Sequence, residues 1–369
     1  MTKLLRVVIF AATILASCQL AVHASPPVTA FSYVLLEADN FEVLANHNSN
    51  EKRPPASTTK ILTGILALDL ADIEEQVRIS SKSASVGDAS IYLRSGEIFY
   101  LFDLLKGALI NSGNDAAYAI AEQVAGDEKL FVDLMNRKAR ILGAVDSFFT
   151  NPHGLPAEQH VSTAYDLALI TNYSLQNSLF SEIVTTKNEL IAPLNGKRKI
   201  SLSNTNKLLW KSSEIKGVKT GTTNLAGKCL VSAAEKNGRL IIAVVLKSSD
   251  RFGDSERLLN WGFTEFALYG IDKGKYLEII EIPNGHPNLV TVSPANDYVL
   301  TVSNKGVLET TVEWLEDCLP PLNKGVILGY LVIRQNGQVL KRLPMITGEK
   351  IVLKNSPGLS FKNFFQNKN

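Results

Sequence analysis

The chain has 369 residues, 45% hydrophobic and 20% charged, with 24 glycines and 14 prolines, a globular composition that excludes disordered and low-complexity protein. A balance of 38 basic against 36 acidic residues leaves a formal charge of +2, too weak a positive field for a nucleic-acid binder. Five histidines and three cysteines are too few for several structural zinc sites, and the length calls for two or three domains.

Lys3 and Arg6 precede an apolar run from Val7 to Leu15, and Val22-His23-Ala24 supplies small residues for cleavage, so residues 1–24 are expected to be a secretory signal. Two alternatives share this segment. One is an uncleaved anchor, and the other is a lipid anchor, because Leu15-Ala16-Ser17-Cys18 resembles the lipobox of bacterial lipoproteins. Phe31 to Ala45, broken by Ala38-Asp39-Asn40, predicts a β-hairpin. Pro54-Pro55 predicts extended backbone before a helix that starts at Ser57 and carries Ile61, Leu62, Ile65 and Leu66. Helices are also expected at Leu101–Ile110, Ala116–Val124, Leu130–Leu142 and Ala164–Tyr173, with the turn Asn111-Ser112-Gly113-Asn114 between the first two.

After Lys216 the pattern changes to strands. Gly217–Gly221, Cys229–Ala234 and Leu240–Leu246 are β-like, and Asn237-Gly238 between two apolar runs signals a hairpin. Trp261–Leu268 predicts a short helix. From Tyr276 the runs 277–282, 289–292, 298–302, 307–314 and 326–334, with Asn336-Gly337, predict a small all-β sandwich. The expected divisions are therefore 1–24, 25–272, 273–356 and a tail at 357–369. In that tail Phe361, Phe364 and Phe365 among lysines could lie on a membrane surface. Cys229 and Cys318 are expected to be small buried hydrophobes without a redox role.

Three short motifs could carry chemistry. In Ser57-Thr58-Thr59-Lys60 the serine and lysine are three apart, so on a helix the amine reaches the hydroxyl. Serine is a weak nucleophile until a base takes its proton, and lysine is a base only where burial or a nearby cation destabilises its ammonium form. Ser49/Lys52 and Ser213/Lys216 repeat the spacing, and a capping serine beside a solvated lysine is the bland alternative. Ser112-Gly113-Asn114 and Lys219-Thr220-Gly221 are the only S-x-N and K-[ST]-G in the chain. Turn chemistry and a solvated strand end would each account for one of them alone.

In order, with the first residues 55 and 107 positions apart, the three resemble the motifs of the penicillin-binding protein and serine β-lactamase superfamily. The finer resemblance is to the serine D-alanyl-D-alanine carboxypeptidases, across about residues 30–268. It is carried by Pro54–Lys60, Ile91–Glu97, Asn111–Ala116, His153-Gly154-Leu155, Ser162–Ala168, Asn204–Leu209, Gly217–Thr222 and Leu258–Phe263.

The resemblance implies an α+β fold: a β-lactamase/transpeptidase-like domain, with an antiparallel sheet and a helical subdomain, followed by the all-β domain. It implies an exported enzyme at the bacterial cell wall that takes the terminal D-alanine from peptidoglycan stem peptides, is acylated by β-lactams, and uses neither metal nor cofactor. Carried over by position, Ser57 would be the nucleophile and Lys60 its base. Ser112 would relay a proton, and Asn114 would hold Lys60 and the substrate amide. Lys219 would add positive field, Thr220 and Thr222 would bind the terminal carboxylate, and the N–H groups of Ser57 and Thr222 would form the oxyanion hole. Gly221 would leave room for substrate. His153 is a candidate at the rim, and the cluster Lys197-Arg198-Lys199 could attract an acidic polymer. Thr205 stands where some relatives have an arginine. A β-lactamase, whose class A members deacylate with a glutamate in an E-x-x-L-N pattern, and a non-catalytic β-lactam sensor are the rivals.

Overall fold

The structure is a computed structural model that describes residues 25–316 and 318–354. The expected signal segment with Cys18, and the tail at 357–369, lie outside the described residues. No helix among the described residues is long and apolar enough to cross a membrane.

Strands β1 (Ser32–Glu37) and β2 (Val43–His47) form the expected hairpin. A 3-10 turn, Ala56–Thr59, runs directly into α1 (Lys60–Leu70). Pro55 is helical rather than extended, with φ −81° and ψ −13°, and Ala56 takes a left-handed φ of +50°. The chain therefore turns sharply just ahead of Ser57.

Next come β3 (Gln76–Arg78), α2 (Ser81–Ser85), β4 (Ile98–Tyr100), α3 (Leu101–Leu109) and α4 (Asn114–Ala125). They are followed by α5 (Glu128–Ile141), α6 (Ala164–Leu175) and α7 (Ser178–Thr185). Asp127 and Thr163 cap α5 and α6 by accepting from the N–H groups of Leu130 and Asp166. The ribbon β5 (Asn188–Ile191) and β6 (Ile200–Ser203) leads to β7 (Ile215–Thr223), β8 (Gly227–Lys236), β9 (Arg239–Ser248) and α8 (Arg251–Glu265).

Strands β7–β9 join the first hairpin in one antiparallel sheet in the order β2-β1-β9-β8-β7, so β1 pairs with β9 from about 200 residues later in the chain. Asn237 and Gly238 turn β8 into β9 with φ of +53° and +77°, as a two-residue hairpin requires. Period-two alternation divides the side chains. Val34, Leu36, Val231, Ala233, Ile242 and Val244 pack with α1, α3, α4 and α6. Leu35, Leu230, Ile241, Ala243 and Val245 pack with Leu258 and Leu259 of α8. Each fully buried leucine or isoleucine is worth about 1.5–3 kcal/mol, so both faces hold the sheet rigid.

Trp261–Leu268 does not continue as a helix. It breaks at Glu265, and Phe266–Ile271 is strand β10. The remainder is all β, as expected: β11 (Glu278–Glu281), β12 (Gly285–His286), β13 (Leu289–Pro294), β14 (Tyr298–Ser303), β15 (Leu308–Trp314), β16 (Ile327–Gln335), β17 (Gln338–Thr347) and β18 (Val352–Leu353). Its main sheet runs β11-β13-β17-β16-β15 over a core of Val290, Val292, Leu331, Ile333, Leu343 and Met345.

β10 pairs with β14, and the first part of the chain grips this ribbon. Buried Arg239 donates to Phe266 O, and Asn40 Nδ2 donates to Thr301 Oγ1 at 2.9 Å. Cys229 is buried in the core and Cys318 is only partly buried.

Candidate active site

The three motifs arrive from three elements. Ser57 lies in the 3-10 turn and Lys60 opens α1. Ser112 ends the turn after α3 with a left-handed φ of +69°, while Asn114 is the first residue of α4 rather than part of the turn. Lys219, Thr220, Gly221 and Thr222 lie on β7, at one edge of the sheet.

Lys60 is fully buried, and its Nζ has three oxygen neighbours: Asn114 Oδ1 at 2.6 Å, the backbone carbonyl of His153 at 2.7 Å and Ser57 Oγ at 3.1 Å. The orientation of Asn114 follows from its other half, since Nδ2 donates to Gly87 O at 2.9 Å. Burial holds the Lys60 ammonium well below the ordinary lysine value. The charge of Lys219 lowers it further, and Asp115 opposes both.

Lys219 is also buried, 1% exposed, and donates to Thr220 O at 3.2 Å. Burial first, and Arg251 second, bring its pKa down to about 7. Thr220 Oγ1 donates to Thr205 Oγ1 at 2.6 Å, so the threonine at that position bonds the strand itself. Thr222 is exposed and accepts from Arg251 Nη1 at 2.8 Å.

Gly221 also has a packing reason. A Cβ there would lie 3.0 Å from Pro55 O, Ala56 Cβ and Ser57 N, so the missing side chain lets β7 pack against the serine turn. Gly154 does the same from the other side. Its φ is +91°, and a Cβ would meet Ala56 O at 1.9 Å.

His153 meets Lys60 through its carbonyl, not its ring. The ring is buried and neutral, its pKa lowered to about 3 by burial and then by Lys60, and its Nδ1 accepts from Leu155 N. His160, lowered to about 4 mainly by burial, bonds Thr59 Oγ1 at 2.9 Å. Of the basic cluster, Arg198 is not a solvated charge, for it pairs with Glu97 at 2.6 Å.

Two residues escaped the sequence reading. Arg251 follows no motif and reaches β7 only because α8 begins beside it. Asp115, fully buried, accepts from Ser90 Oγ and from the N–H groups of Ile91, Leu93 and Ala116, fixing the segment beside Asn114. Its adjacency to the S-x-N motif was the available signal. Glu256-Arg257-Leu258-Leu259-Asn260 matches the E-x-x-L-N pattern of class A β-lactamases. It lies on α8, against the sheet face opposite α1, with Glu256 paired to Lys211 at 2.5 Å. It cannot serve Ser57 from there. Among the described residues no group of three or more His, Cys, Asp or Glu side chains is placed to hold a metal.

The sequence model of the D-alanyl-D-alanine carboxypeptidase family matches residues 19–250. D-alanyl-D-alanine carboxypeptidase DacF of Bacillus subtilis is 33% identical over 332 residues, 87% of this chain and 85% of its own. DacC of Escherichia coli is 31% identical over 89% of this chain and 85% of its own. The crystal structure of the carboxypeptidase DacD from Francisella tularensis is similar with a TM-score of 0.79 at 26% identity, covering 90% of this chain and 95% of that one. Penicillin binding protein 5 from Haemophilus influenzae gives 0.77 at 26% identity, over 89% of this chain and 98% of its own.

Proposed function

The chain belongs to the D-alanyl-D-alanine carboxypeptidase family, and on that premise we propose that Ser57 is the nucleophile of its reaction and Lys60 the base. It is a serine-type D-alanyl-D-alanine carboxypeptidase of cell-wall peptidoglycan and a target of β-lactams.

The arrangement around Lys60 carries the assignment. A neutral amine has two N–H groups and one lone pair. Asn114 Oδ1 and His153 O can only accept, so they take the two N–H groups. The lone pair is left for the hydroxyl hydrogen of Ser57, 3.1 Å away. Burial and Lys219 both push the pKa of that amine down, the direction a general base requires.

Ser57 Oγ then attacks the carbonyl between the two terminal D-alanines, and Lys60 takes its proton. The N–H groups of Ser57 and Thr222 stabilise the oxyanion, and such a donor is worth about 3–4 kcal/mol. Ser112 passes the proton to the leaving D-alanine. Lys219, Thr220, Thr222 and the neighbouring Arg251 hold the terminal carboxylate, and Gly221 keeps the strand close enough for them to do so. Water releases the acyl group to complete the cycle. A β-lactam enters by the same attack but leaves no departing fragment, so its acyl-enzyme persists. His153 contributes its carbonyl.

In this reading the catalytic domain ends with α8 at Glu265 rather than at residue 272, because β10 pairs with β14 and so belongs to the β-domain that follows. Residues 1–24 export the chain to the outer face of the cytoplasmic membrane, periplasm or wall. A mature N-terminus at Ser25 supports ordinary cleavage, whereas a diacylated Cys18 would replace it with a lipid anchor.

The test of the reaction is D-alanine release from diacetyl-L-lysyl-D-alanyl-D-alanine, with labelling by a fluorescent penicillin. Both are expected, and both should vanish in Ser57→Ala. Labelling without release would mark a sensor instead, and fast turnover of the penicillin a β-lactamase.

A further inference from the structure

The loop between α2 and β4 is held firmly for a segment with so little regular structure. From below, Asp115 accepts from Ser90 Oγ at 2.6 Å and from the N–H groups of Ile91 and Leu93 at 3.1 and 3.0 Å. Asn114 donates through its backbone N–H to Ala89 O at 2.7 Å and through its side chain to Gly87 O. From the other side Arg198 donates to Tyr92 O at 2.8 Å and to the Glu97 carboxylate.

Between these anchors stands Tyr92, at a left-handed φ of +59° and 80% exposed, the most exposed large hydrophobic side chain among the described residues. That backbone region is disfavoured for a bulky residue, and an exposed ring recovers no packing in return. The chain thus holds the backbone of an exposed aromatic residue at one place, on the loop that holds Asn114, at the expense of local comfort.

We propose that Tyr92 is a specificity residue whose ring packs on the aliphatic side chain of the residue preceding D-Ala-D-Ala in the stem peptide. The proposal rests on the carboxypeptidase reading of Ser57 and Lys60. In that reading Asn114 holds the substrate amide on the acyl side, and one residue further back along an extended peptide is only about 3.3 Å away. A long methylene chain at that point meets the loop, where the exposed ring offers hydrocarbon contact without a charge. Tyr92 touches no reacting atom. Its contribution is to KM.

D-alanine release is measured for the unaltered enzyme, Tyr92→Gly and Tyr92→Phe on two peptides, diacetyl-L-lysyl-D-alanyl-D-alanine and acetyl-L-alanyl-D-alanyl-D-alanine. Glycine removes the ring and suits the left-handed backbone, so its Tm should hold or rise and misfolding is controlled. Tyr92→Gly should raise KM for the lysyl peptide about tenfold with kcat nearly unchanged, while the alanyl peptide shifts by less than about twofold. Tyr92→Phe should behave as the unaltered enzyme on both. An equal loss on the two peptides, or no loss on either, overturns the proposal while leaving the catalytic reading intact. Failure of the unaltered enzyme to release D-alanine from either peptide overturns both.

Discussion

Gly221 and Ser57 are packed so closely that a methyl group on the first would lie 3.0 Å from the amide nitrogen of the second. The edge strand of the sheet and the turn that carries the nucleophile are therefore registered by the absence of a side chain. Gly221→Ala should force the two apart, costing about 1–3 kcal/mol of stability. A displacement of a few tenths of an ångström should still lower acylation about tenfold, read as the rate of labelling by a fluorescent penicillin. Labelling at the normal rate would mean that the contact has no bearing on Ser57.

Replacement of Lys60 separates charge from basicity. Lys60→Arg keeps N–H donors for Asn114 Oδ1 and His153 O but holds a permanent charge, so it offers no lone pair. Labelling should fall by about 10²–10⁴, as far as in Lys60→Ala, with the fold retained in circular dichroism. An arginine variant that acylates well would sink the base assignment.

The pH dependence follows from Lys219. Its pKa of about 7 means that the free enzyme carries this charge below that pH and loses it above. Loss of the charge weakens the hold on the substrate carboxylate. On that ground kcat/KM for the peptide should decline as pH rises through about 7. Lys219→Arg should retain part of the activity and move that decline to higher pH. A profile identical in the two proteins would contradict the assignment.

Asp115 pulls the other way on Lys60. Its carboxylate raises the lysine's pKa, so Asp115→Asn should shift the acid limb of the acylation profile to lower pH. The same change weakens the hydrogen bonds that tie down Ser90, Ile91 and Leu93, at about 1–3 kcal/mol in urea unfolding. A stability loss with an unmoved acid limb would show that the charge is screened from Lys60.

What could be read from the residues was local. Ser57 and Lys60 are neighbours by helical spacing, Asn237-Gly238 declares its turn, and the sheet strands alternate or run apolar as their two buried faces demand. Arg251 was invisible because only the docking of α8 brings it to Thr222. The contact of His153 with Lys60 was not legible because its atom is a carbonyl shared by every amino acid. Phe266–Leu268 was taken into the preceding helix because three apolar residues fit either period. Its partner strand, which decides the matter, lies some 30 residues on.

The ribbon of β10 and β14 sets where the chain can be shortened. A cut in the Ile271–Gly274 stretch, where composition changes, would leave the six residues of β10 without β14 and expose a bare strand edge. A protein ending there should clump during expression. One ending at Glu265 keeps α8 over its sheet and should stay soluble enough to bind penicillin on its own.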